Sequence, residues 1–153
     1  MTIAHLARSV REWTRDFGQR VPDKLTEPSI ETVQMRARLT REEASELADA
    51  RNQAERLDAI ADLLVVVVGA AADAGISPET LQAHLADVLD ANEAKKWTAA
   101  QQVEGRPSGW TATPIRQTGL FAVCDETGKI RKPPGWVAPD ASRHIDAQRR
   151  AEG

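Results

Sequence analysis

Cysteine, aromatic side chains and long apolar runs are all scarce in this sequence, and each scarcity removes a class of answer. One cysteine, Cys124, excludes an intramolecular disulfide and any cysteine-based zinc cluster. Aromatic residues make up 4% of the chain, and the 41% hydrophobic share is carried mainly by Ala, Leu and Val. That mixture suits close-packed helices better than a sandwich of strands. The longest strongly apolar stretch, Leu63 to Ala72, falls far short of the ~20 residues a membrane-spanning helix needs. Met1-Thr2-Ile3-Ala4-His5 carries no basic segment leading into an apolar core, so no signal peptide is expected. The expected location is the cytoplasm, that of the host if the protein is viral, with no membrane partner. A net charge of −3 lacks the basic excess of a nucleic-acid binder. Neither Gly-x-x-x-x-Gly-Lys-Ser/Thr nor Gly-x-Gly-x-x-Gly occurs, so neither phosphate-cradling loop is present.

What is present is helical periodicity. Ile3, Leu6, Val10, Trp13 and Phe17 recur at spacings of three and four, one apolar stripe on a helix that Gly18 stops. After a Pro-containing connection, Ser29 is a good N-cap for a second helix running to about Ala50, with Ile30, Val33, Ala37, Thr40, Ala44 and Leu47 as its inward set. A third helix is expected from about Gln53 to Ala74, ending at Gly75. It is apolar almost all round from Ile60 to Ala72, which predicts the central, most buried element. Ser77 as N-cap, Pro78 at the first position and Glu79 in the first turn open a fourth, with Leu81, Leu85, Val88 and Leu89 inward. Beyond Trp97 the composition changes: residues 98–118 read as loop, residues 120–124 and 129–132 as the arms of a short β-hairpin, and the end as a polar tail. The expected fold is therefore all-α, a four-helix-bundle core with a short C-terminal loop and β-hairpin extension. Residues 1–97 are expected to form the helical domain, and residues 98–153 an extension packed on it. Trp97, Trp110 and Trp136 are candidates to pin that extension, Cys124 reads as packing, and His5, His84 and His144 share no ligand spacing and read as solvated.

Four carboxylates carry the chemistry. Glu43 and Glu46 lie three apart on the second helix, beside Glu42; alone they could be a solvated face. Asp58 and Asp62 lie four apart on the third, and Asp62 sits inside Ile60-Ala61-Asp62-Leu63-Leu64-Val65-Val66-Val67-Val68. That setting predicts a carboxylate that is buried or lines a cavity, and such a group needs a cationic partner such as Arg38 or Arg41, a metal, or a proton. In an antiparallel pair turning near residues 51–54, Glu46 and Asp58 share one level, and Glu43 and Asp62 the next level in. Two such charges ~5 Å apart repel by roughly 3 kcal/mol at an effective dielectric near 20, so four facing one another call for cations. Oxygen-only ligands select hard ions, Mg²⁺ or Mn²⁺. On the fourth helix the stripe of Leu85 and Val88 continues as Asn92 and Lys95. This is either a helix end entering solvent or an amide and a cation placed for an anionic substrate.

In order along the chain stand Val10-Arg11-Glu12-Trp13…Phe17-Gly18, Arg38-Leu39-Thr40-Arg41-Glu42-Glu43-Ala44-Ser45-Glu46-Leu47, Asp58-Ala59-Ile60-Ala61-Asp62-Leu63-Leu64 and Asn92-Glu93-Ala94-Lys95. This series resembles the MazG-like and phosphoribosyl-ATP pyrophosphohydrolase-like group, especially its phage and bacterial single-domain members. Gly128-Lys129-Ile130-Arg131-Lys132-Pro133-Pro134-Gly135-Trp136 is similar to the C-terminal segment of the phage members. The group's motif is Glu-x-x-Glu on one helix and Glu-x-x-Asp on the next. Glu43 and Glu46 match the first pair and Asp62 the final Asp. The remaining Glu falls on Ala59, and Asp58, one residue earlier, takes its place.

The resemblance implies a metal-dependent hydrolase that converts a (d)NTP to (d)NMP and pyrophosphate. Glu43, Glu46 and Asp62 would be ligands for Mg²⁺ or Mn²⁺, and Asp58 a ligand or the base. Lys95 or Lys96 would hold leaving-group oxygens, Asn92 the sugar or α-phosphate, and Trp13 the base. It also implies a homodimer or homotetramer. An aromatic-flanked pocket leans towards a purine, dGTP or GTP. The alternatives are a dUTP or dCTP pyrophosphatase of the same family and, from another class, a non-catalytic helical interaction module.

Overall fold

Side chains that bond their own backbone set where the long helices begin. In the computed structural model, which describes residues 1–153, α1 (Ile3–Asp16) starts behind Thr2, whose hydroxyl accepts from His5 N, and α2 (Ile30–Asp49) behind Ser29, which accepts from Thr32 N. Asn52 accepts from Glu55 N and opens α3 (Gln53–Asp73), while the Glu55 carboxylate reaches back to Arg51 N at 2.7 Å. Ser77 accepts from Thr80 N, with Pro78 as the first residue of α4 (Pro78–Glu93). Each cap satisfies amides that have no intrahelical partner. Gly75 ends the α3 segment at φ +65°, and a Cβ there would stand 2.0 Å from the Lys24 carbonyl oxygen. The chain folds as two compact units, residues 1–83 with 141–153, and residues 84–140.

In the first unit, α3 packs on both α2 and α1. Ala7, Val10 and Val68 form a small buried cluster, with Ile3, Leu6, Val65 and Leu81 half-buried against it. The buried face of α1 is Ala4, Ala7, Val10 and Thr14. It is rotated from the expected stripe, because two alanines let the helices approach closely while Trp13 and Phe17 stay exposed. Nor is α3 the most enclosed element. Leu57, Ile60, Leu64 and Val67 form a stripe left 41–69% exposed, because α1 and α2 cover only its other faces. On α2 Thr32, Arg36, Ala37, Leu39, Thr40, Glu43 and Leu47 are half-buried, so Ala37, Thr40 and Leu47 of the expected inward set are covered, whereas Ile30, Val33 and Ala44 are exposed.

Two features of this unit carry no hydrophobic signal. Arg36 pairs with Asp73 through two hydrogen bonds, Nε to Oδ2 at 2.5 Å and Nη2 to Oδ1 at 3.1 Å, linking α2 to α3. Gly69 makes room for it, since a Cβ there would meet Arg36 Nη1 at 2.4 Å. The expected polar tail contains a helix, Ser142–Glu152, docked by hydrogen bonds. Gln148 Nε2 donates to Gly75 O, Gln148 Oε1 accepts from Ser77 N, and Glu152 accepts from Leu25 N.

The second unit is built around Trp97, which is 1% exposed. Its backbone bridges Phe121, and its indole donates to Arg131 O at 2.9 Å. Residues 98–118, expected as loop, contain α5 (Ala99–Gly105), closed by a Thr98–Gln101 capping box, and β1 (Thr111–Pro114). β1 pairs antiparallel with β2 (Phe121–Cys124), Thr111 opposite Cys124 and Pro114 opposite Phe121. The expected pairing of 120–124 with 129–132 is reduced to one bridge, Cys124 to Ile130. Asp125 organises that turn. Its Oδ1 accepts from Thr127 N, Thr127 Oγ1 and Lys129 N, and its Oδ2 pairs with Arg131. These bonds, the Thr127 hydroxyl first, hold its carboxyl down at about 2. The last helix, α6 (Ser142–Glu152), returns to the first unit. The fold is all-α with one short two-stranded sheet near its C-terminus, and no single helix is long and apolar enough to cross a membrane.

Candidate active site on the second and third helices

The short break at residues 50–52 sends α3 back along α2 and brings the two carboxylate pairs together. Glu43 is among the half-buried residues of α2, and Glu46, Asp58 and Asp62 are exposed beside it. The Glu43 carboxyl is pushed above its ordinary value of 4.5 by burial first, then by the charges of Glu46, Asp62, Glu42 and Asp58. The charges of the other three motif carboxylates therefore reach Glu43. A cleft of about 350 Å³ opens at the same end, lined by Glu46, Asp49, Ala50, Arg51, Asp58 and Ala59 among others. Glu46 and Asp58 share it, at one level of the helix pair.

Asp62 is exposed, not buried. Its apolar neighbours lie largely on faces of α3 that the chain itself leaves open, so the apolar run around it does not enclose it. No arginine or lysine forms an ion pair with the four carboxylates either. Arg38 pairs with Glu42 at 3.8 Å, and no ion pair involves Glu43, Glu46, Asp58 or Asp62. The unpaired set of oxygen donors fits a hard divalent cation, which would supply the missing positive charge.

Ala59 explains the departure at its position. It is 3% exposed on α3 and lines the cleft floor, where a methyl fits and a carboxylate would be buried. Asp58, its neighbour in the lining, supplies the acidic group from the exposed side. Sequence spacing missed Asp49, which also lines the cleft. The signal was available, since Glu43, Glu46 and Asp49 follow one another at intervals of three.

Trp13 is half-exposed and tilted against Phe17, ring centroids 5.2 Å apart, and Phe17 is more exposed still, so neither is core. Asn92, Lys95 and Lys96 belong to the second unit. Lys95 Nζ donates to Asn92 Oδ1 at 2.6 Å and enters no ion pair, whereas Lys96 is paired with Glu93. Of the two lysines, Lys95 is the one with charge to spare for a ligand. His5 is exposed, but His84 and His144 are half-buried and not fully solvated as expected.

A family model described as phosphoribosyl-ATP pyrophosphohydrolase matches residues 10–88, just over half of the chain. The match takes in Trp13 and all four carboxylates and stops short of Asn92 and Lys95. No curated protein matches the sequence.

Proposed function

The chain belongs to the phosphoribosyl-ATP pyrophosphohydrolase family, and from that premise we propose that it is a Mg²⁺- or Mn²⁺-dependent nucleoside triphosphate pyrophosphohydrolase. Activity on a phosphoric anhydride of a nucleotide is the family's own chemistry; the substrate and the ion are the proposal. The observation that carries it is the set of unpaired carboxylates on α2 and α3, where burial first and then the neighbouring charges raise the Glu43 carboxyl.

A divalent ion, when bound, supplies charge neutralisation of the polyphosphate and polarisation of the phosphorus under attack. Glu43, Glu46 and Asp62 would hold it. Asp58, which lines the cleft with Glu46, would take the proton of the attacking water or join the ligands. The new bond joins water oxygen to the α-phosphorus, the α–β bridging bond breaks, and pyrophosphate leaves with the electron pair. Lys95, steadied by Asn92, offers a cation to phosphate oxygens, and Lys96 is the second choice because Glu93 engages it.

For the base, the exposed Trp13 and Phe17 favour a large stacking partner. A purine, dGTP or GTP, is the proposed preference over dUTP and dCTP. The exposed stripe of α3 supports a homodimer or homotetramer, and the proposed setting is the cytoplasm, with no membrane or nucleic-acid partner. Residues 1–97 would form the catalytic domain and residues 98–153 its extension. A non-catalytic interaction module is the weaker reading, since it gives no reason for like charges to be held together without a counter-charge.

Incubation with each common ribo- and deoxyribonucleoside triphosphate plus dUTP, with product chromatography, tests this reading. The expected products are the monophosphate and pyrophosphate, formed with Mg²⁺ or Mn²⁺ and abolished by chelation. A diphosphate with orthophosphate would refute the cleavage position, and a tenfold lead for dUTP or dCTP, about 1.4 kcal/mol of discrimination, would refute the purine preference alone.

A further inference from the structure

Within residues 84–140 three of the seven lysines and arginines have a local partner: Lys96 pairs with Glu93, Arg131 with Asp125, and Arg106 donates to the Trp110 carbonyl. Lys95 and Lys132 differ. Neither forms an ion pair, and both ammonium groups lie at one indole, that of Trp136, with Nζ at 5.9 Å and 3.9 Å from the ring centroid. An indole accommodates cations on its π system, but two like charges gathered there without a carboxylate repel each other. An anion bound by both removes that cost.

Hydrogen bonds of the surrounding chain position the Trp136 ring. Pro133 is buried, and the turn it opens is closed by Trp136 N donating to Pro133 O at 3.2 Å, with Gly135 at φ +79°. The Trp136 indole N–H donates to Ala91 O at 2.7 Å, which ties this turn to α4. Lys95 Nζ is bonded to Asn92. Next to Lys132, Arg131 engages the Trp110 ring and Asp125, so adjacent basic residues serve separate ends: one closes the turn, the other is left for a ligand. Two ammonium groups within 5.9 Å of one centroid can be spanned by a pyrophosphate through hydrogen bonds of ~2.8 Å at either end.

We propose that Lys95 and Lys132, gathered on Trp136, form a binding site for a phosphate-bearing anion of the pyrophosphate class. The ligand class rests on the pyrophosphohydrolase reading, and Lys132 is the residue that reading did not contain. The test is calorimetric titration of the full chain with inorganic pyrophosphate in EDTA, comparing wild type, Lys132→Gln and Lys129→Gln. Lys129 is an exposed cation of the same segment that does not reach Trp136. Lys132→Gln should weaken binding ~5-fold or more, the scale of one lost charge-assisted hydrogen bond, and Lys129→Gln should leave it unchanged. The Lys132 effect should persist in Asp62→Asn, which separates this site from the carboxylates. A non-hydrolysable α,β-methylene triphosphate distinguishes the sources. An equal loss assigns the site to the substrate's polyphosphate, and a loss with pyrophosphate alone assigns it to the released product. Unaltered pyrophosphate affinity in Lys132→Gln, or an equal loss in Lys129→Gln, would overturn the proposal whether or not the protein hydrolyses nucleotides.

Discussion

Glu43 shows how one side chain can link stability, metal and pH. Its folded carboxyl holds the proton more tightly than the unfolded chain does, so ionising it costs stability. The metal-free protein keeps this contribution in full below the ordinary value of 4.5 and loses it as pH rises through the higher folded value. Glu43→Gln should therefore melt higher than wild type at pH 8 in EDTA, with the gap closing towards pH 4. Mn²⁺ should then raise the wild-type melting temperature more than that of the variant. A variant that melts lower in EDTA at pH 8 would show that the carboxylates are not in mutual repulsion. Asp73 is the opposite case, an anion with its counter-charge. Its side chain and that of Arg36 are 9% and 13% exposed, so Asp73→Ala leaves a guanidinium stranded between α2 and α3 and should cost about 3 kcal/mol. Chemical denaturation measures this, and a loss under 1 kcal/mol would mean that Arg36 finds solvent.

At the scale of elements, caps and stops were legible and faces were not. Ser29, Asn52, Ser77 with Pro78, and Gly75 each mark a boundary through local hydrogen bonding or backbone conformation, so α2, α3 and α4 lie where spacing puts them. The face of α1 was misjudged because periodicity ranks residues by apolarity, whereas contact with α3 selects the small Ala4 and Ala7. α5 and α6 were missed because a capping box and the amide bonds of Gln148 hold them, and neither has an apolar period. Among the carboxylates, spacing brought four together but misjudged the exposure of Asp62, because apolar α3 is not enclosed by its own chain. Its stripe of Leu57, Ile60, Leu64 and Val67 is an edge another copy can cover. Leu64→Lys should convert an oligomer into the 16.7 kDa monomer in light scattering; wild type already monomeric at micromolar concentration would remove that role.

For the molecule as a whole, the family match and the carboxylate geometry meet on the same residues. Residues 10–88 contain α2, α3 and every group proposed to hold the ion, while the phosphate-directed lysines lie beyond them. Under the proposed function, anhydride hydrolysis is the task of the first unit. All of this depends on the acidic groups of α2 and α3 being catalytic and not merely a charged surface. Asp62 tests that most directly: it is exposed and unpaired, so Asp62→Asn should leave the fold intact and can act only through chemistry. The decisive measurement is the steady-state rate of pyrophosphate release with saturating Mg²⁺ for wild type and Asp62→Asn side by side. A fall in kcat of at least ~100-fold, the scale for losing a core catalytic group, is expected with the helical signal unchanged. A near-normal rate in Asp62→Asn would contradict the assignment of the α2–α3 carboxylates as the active site.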